Sequence, residues 1–98
     1  MKVKSFKSLF GEMLLYKEKG NIAKSKELLA ILVESMIQVI NIMNKIDELG
    51  DHVDKFHIKD ELVYEDGLYF TKVGDLVLVI NEEDIDTIVD ILEEENDA

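Results

Sequence analysis

Val3, Phe6, Phe10, Met13 and Leu14, joined by Leu9, recur at helical spacing. Gly20 then follows Lys17, Glu18 and Lys19, a C-terminal stop with cations in the last turn. The pattern predicts a first amphipathic helix over about 5–19. Gly11 inside it costs about 1 kcal/mol relative to alanine, which close approach of another element would explain.

Asn21 is placed to cap a second, longer helix over about 22–49 that Gly50 closes. At 1.5 Å per residue it would run roughly 40 Å, long for a chain of this size. Ile22, Leu29, Leu32, Met36, Val39, Met43 and Ile46 follow a spacing of three and four, and Leu28, Ile31, Val33, Ile37, Ile40 and Ile42 flank them. Only Glu34, Gln38, Asn41, Lys45 and Glu48 form a continuous polar stripe. A helix this widely apolar needs cover on several sides, so self-association is expected, with Leu29, Leu32, Met36, Ile37, Ile40 and Met43 at a homodimer interface. Glu34, Ser35, Gln38, Asn41 and Asn44 interrupt the run, which argues against a membrane span.

From Asp51 the period changes. Residues 51–60 read as a polar connector anchored by Val53, Phe56 and Ile58. Glu61 to Tyr64, Leu68 to Val73 and Leu76 to Ile80 then read as three short strands, separated by Glu65-Asp66-Gly67 and Gly74-Asp75. Leu76 to Ile80 is apolar on both faces, as a central strand would be, while Tyr69, Thr71 and Lys72 suggest a wetter face on the middle strand. Tyr64, Tyr69 and Phe70 are expected in the sheet core. Asn81 opens a last helix to about 95, with Glu82, Glu83 and Asp84 in its first turn and Ile85, Ile88, Val89 and Leu92 on one face. The expected fold is α+β in the order α-α-β-β-β-α: a helical hairpin (1–50), a connector, a small antiparallel sheet (61–80) and a C-terminal helix (81–95).

The 98 residues are 47% apolar and 34% charged, the composition of one folding domain. Cysteine is absent, which excludes disulfides, cysteine-held zinc, iron–sulfur clusters and a thiol nucleophile. Met1 leads into Lys2-Val3-Lys4-Ser5 without an apolar signal region, so the expected location is cytoplasmic. All eleven basic residues are lysine, so no bidentate guanidinium fork can be built.

Charge divides the chain. Residues 1–46 carry eight lysines against four acids, net +4, whereas 47–98 carry three against eighteen, net −15. No basic residue follows Lys72, so the second half would repel nucleic acid and anionic membranes.

Catalytic chemistry finds few footholds. Ser5, Ser8, Ser25 and Ser35 lie in or beside the first two helices without a nucleophile elbow, and the five glycines form no phosphate-binding loop. His52, Asp54, His57 and Asp60 alone have the composition of a metal site, and a divalent-metal hydrolase using His52, Asp54 and His57 is the rival enzyme reading. The acids at 82–90 lack the glycine and alternating ligands of a calcium loop. The expectation is a protein that is not an enzyme and takes no cofactor.

Glu83, Asp86, Asp90, Glu93 and Asp97 recur at three and four, lining carboxylates along one helix side with a rise of roughly 5 Å per step. In charge pattern alone, this row resembles small phage-type inhibitors that imitate DNA toward a basic groove. The function expected is a small acidic interaction module, homodimeric, that inhibits or regulates a basic partner. The alternative is a structural or regulatory dimer whose acidity only solvates it.

Overall fold

The computed structural model describes residues 2–50 and 53–96, with the side chains of all of these except 88, 91, 92 and 94–96. In chain order the elements are β1 (Lys2–Ser5), α1 (Phe6–Glu18), α2 (Ile22–Leu49), β2 (Lys55–Ile58), β3 (Glu61–Glu65), β4 (Leu68–Val73), β5 (Leu76–Asn81) and α3 (Glu82–Asn96). The fold is α+β, a helical hairpin with a long second helix laid on a small sheet and followed by a C-terminal helix.

The sheet has five strands where three are expected. Their order is β1-β5-β4-β3-β2, antiparallel from β2 to β5 with β1 parallel to β5. The apolar β5 is an interior strand, flanked by β1 and β4, as its composition predicts. β1 corrects the reading of Val3 as part of the first helix. Ser5 caps α1, its Oγ accepting from the Ser8 N–H at 3.0 Å, so the helix starts at Phe6. The residues before it pair with the backbone of β5, leaving Val3 64% exposed.

The second added strand, β2, lies in the expected connector. It turns into β3 through Lys59 and Asp60, both at positive φ (51° and 66°), a tight two-residue hairpin made without glycine. The Asp66-Gly67 turn has the same left-handed pair and joins β3 to β4 as predicted. A bulge shifts the β2–β3 register between Phe56 and His57, leaving Val63 as the extra residue opposite. Val63 and Tyr64 accordingly both pack against the core.

That core lies between the helical hairpin and one sheet face. Phe6, Leu9, Phe10 and Met13 of α1 and Leu28, Leu32, Val39 and Ile42 of α2 meet Tyr69, Leu78 and Ile80. Tyr69 is buried in the core as expected, and Thr71, expected with Tyr69 and Lys72 on a wetter face, is buried beside it. Of those three only Lys72 is exposed, and Phe70, expected in the core, is half-buried. Three polar contacts tie α2 to its neighbours, one to α1 and two to β4. The Ser25 hydroxyl donates to the Met13 carbonyl at 3.1 Å, Ser35 and Thr71 bond through their hydroxyls, and the Gln38 amide engages Lys72.

Gln38 does structural work that its place on a polar stripe conceals. β3 pairs with β4 only at Tyr64–Tyr69 and Glu65–Leu68 and then parts from it. Lys72, further along β4, lacks a strand on that side. The Gln38 side chain replaces one: Nε2 donates to the Lys72 carbonyl at 2.8 Å, and Oε1 accepts from its N–H at 3.0 Å.

Candidate functional site

The length of α2 places three stripes side by side. Ser25, Leu28, Leu32, Ser35, Val39 and Ile42 are buried. At 100° per residue, a second stripe of Leu29, Val33, Ile37 and Ile40 lies about 130° around the helix, and all four are exposed, Ile37 by 54%. The polar stripe of Glu34, Asn41, Lys45 and Glu48 occupies the remaining side. Of the six residues expected at a dimer interface, Leu29, Ile37 and Ile40 face outward. Leu32 does not: it is buried in its own chain, because the spacing of three and four that suggested an interface is the stripe facing α1 and the sheet. Met36 and Met43 lie half-buried between the two stripes, packed on the core. Val33, a flanking residue in the sequence pattern, belongs with the exposed set.

By length and hydropathy α2 is also the one described helix that could cross a membrane. Here its Ser25, Ser35 and Gln38 are bonded to α1 and β4.

α3 is capped by Asn81, whose Oδ1 accepts from the Glu83 N–H at 3.0 Å. Glu83, Asp86, Asp90 and Glu93 are all exposed, and none pairs with a described cation. Asp97, the fifth member expected in the row, lies outside the described residues, as does His52 of the proposed metal cluster. His57 is exposed on β2, and Asp54 precedes that strand, its carbonyl accepting from the Asp66 N–H at 2.9 Å. No group of three or more metal-ligating side chains gathers among the described residues.

Two concavities border α2. A groove of about 590 Å³ opens between α2 and the β2–β3 hairpin where β3 leaves β4, its walls including Asn41, Lys45 and Glu48 facing Ile58, Lys59 and Glu61. A smaller one, about 220 Å³, lies at the other border of α2, lined by Met43, Ile46, Asp47, Tyr64, Tyr69 and Glu82. The two tyrosine rings are 5.0 Å apart and tilted by 55°. Burial, reinforced by the charge of Glu82 and then by Tyr64 and Asp47, raises the Tyr69 phenol to about 12. The spacing that predicts strands at Tyr64 and Tyr69 gives no sign that residues from α2, β3, β4 and α3 converge there.

No known family, no characterised protein and no solved structure matches this chain.

Proposed function

We propose that the protein is a small acidic interaction module, a homodimer joined through the outer stripe of α2, that offers the carboxylates of α3 to a basic partner. The observation that carries the reading is the exposure of Leu29, Val33, Ile37 and Ile40 on one continuous helix face. Leaving four large aliphatic side chains in water along a single line is costly, and a second copy removes the cost.

Charge favours a copy of the same chain. Lys19, Lys24 and Lys26 gather at the α1–α2 junction, while Asp47 and Glu48 end α2. In an antiparallel two-fold pairing of α2 with its copy, each basic end lies beside an acidic one. The carboxylates of α3 have no described cation to satisfy them, which supports recognition by an external basic surface.

Light scattering at micromolar concentration tests the first half. A dimer is expected, with Ile37→Asp monomeric and still folded by circular dichroism; a wild-type monomer would remove the proposal. The second half rests on the combined variant Glu83→Gln, Asp86→Asn, Asp90→Asn and Glu93→Gln. A partner isolated from the native host should dissociate steeply with salt, compete with DNA and fail to bind this variant. Full binding by the variant would leave the acidic face with solvation alone.

A further inference from the structure

The small concavity between α2, the β3–β4 hairpin and the start of α3 has the makings of a binding site. Tyr69 is only 3% exposed, yet its hydroxyl has no hydrogen-bond partner among the described residues. Among the described residues no buried side-chain oxygen or nitrogen is left unsatisfied and sealed off from solvent, so this hydroxyl opens onto the concavity its ring lines. A buried phenol normally finds a partner. Around it stand two carboxylates, Asp47 from the end of α2 and Glu82 from the first residue of α3. Neither has a cation within salt-bridge distance among the described residues. The Glu82 backbone is held over the Asp66-Gly67 turn, its N–H donating to the Gly67 carbonyl at 2.9 Å; its Oε2 lies over Gly67, and the residue lines the concavity with the two rings.

We propose that this pocket binds a primary alkylammonium group, with Asp47 and Glu82 as its counter-ions, the Tyr64 and Tyr69 rings as its cation–π walls and Met43 and Ile46 against its alkyl stem. Each part of the lining selects for that chemistry. Two carboxylates and a phenol oxygen match the donors of an ammonium group, and aromatic faces stabilise an organic cation. A hard metal ion would need six or more oxygen ligands and gains nothing from methionine, isoleucine or ring carbons. A volume of about 220 Å³ is small for a whole drug-sized ligand and suits the end of a flexible chain. The same group occurs on a free amine and on the lysine side chain of a protein. The site is separate from the outer stripe of α2 and from the carboxylate row of α3, so it stands or falls independently of both.

The protein has three tyrosines and no tryptophan, so tyrosine fluorescence and ring proton resonances report on the pocket directly. Titration with n-butylammonium chloride should give saturable shifts of the Tyr64 and Tyr69 rings with a Kd on the order of 10 mM, and sodium chloride at equal ionic strength should not. Glu82→Gln and Asp47→Asn should each weaken binding about tenfold or more, while the charge-neutralised α3 row leaves it unchanged. A lysine-containing peptide that binds more tightly than butylammonium identifies the ligand as a protein side chain; equal or weaker binding identifies a free amine. Absence of saturable ring shifts, equal shifts with sodium chloride, or unaltered binding in Glu82→Gln would overturn the assignment.

Discussion

Ser35 of α2 and Thr71 of β4 hydrogen-bond to each other at the centre of the molecule, where both are essentially inaccessible to water. The Thr71 hydroxyl also reaches the Leu78 carbonyl at 3.4 Å, so the pair links the helical layer to two neighbouring strands. A hydroxyl deprived of its partner in such a place costs about 1–3 kcal/mol, whereas removing both partners leaves nothing unsatisfied. Thr71→Val should therefore destabilise by about that amount, and Ser35→Ala by somewhat less. The double variant should cost less than the sum of the two. Urea unfolding of the four proteins measures the coupling.

Gln38 supplies both hydrogen bonds that a missing strand would give Lys72. Gln38→Ala should cost about 1–2 kcal/mol, at roughly 1 kcal/mol for each bond. Gln38→Glu keeps an acceptor for the Lys72 N–H but sets a carboxylate oxygen against its carbonyl, so it should not restore the loss. Thermal unfolding together with amide exchange at Lys72 would show both effects.

Gly11 and Gly74 make a matched pair. A Cβ at either position meets nothing within 4 Å, so space does not distinguish them. Gly11 sits in the interior of α1, with no element in close approach, contrary to the sequence expectation. Gly11→Ala should stabilise by about 0.5–1 kcal/mol. Gly74 has φ of 62°, and Gly74→Ala should destabilise by about 1–2 kcal/mol through the left-handed backbone alone. Opposite shifts of the unfolding midpoint are the expected result.

Raising the Tyr69 phenol from 10.0 to about 12 has a definite sign for stability. The folded state holds this proton more tightly than the unfolded chain. Its contribution is complete below pH 10 and is lost as pH rises from 10 to about 12, at up to about 1.4 kcal/mol per pH unit. Alkaline unfolding compared between wild type and Tyr69→Phe should show this component vanish in the variant. Glu82→Gln should lower the pH at which this phenol ionises, as followed by ultraviolet absorbance.

Elements with strong local signals were legible in the sequence. The long apolar period of α2, the Asn81 cap of α3, the all-apolar β5 and the Asp66-Gly67 turn all fall where the pattern puts them. β2 is hidden because its turn uses Lys59 and Asp60 in place of a glycine, and β1 because four residues that end in the helix cap itself carry little periodicity. Leu32 was assigned outward since a spacing of three and four describes any buried helix stripe, whether its partner is another copy or the same chain. The tyrosine pocket was invisible for a different reason. Asp47, Tyr64, Tyr69 and Glu82 come from four elements, and only the strand pairing and the path of α2 bring them together.

Pairing of β1 with β5 joins Lys2 to Leu76 across about three quarters of the chain. The helical hairpin and the β2–β5 meander close short loops, whereas this contact must close everything from β1 to β5 against its loop entropy. The edge strand should therefore dock late, onto a sheet already assembled. During synthesis β1 leaves the ribosome well before β5 and waits for that strand before it finds its place, and until then β5 carries an open edge.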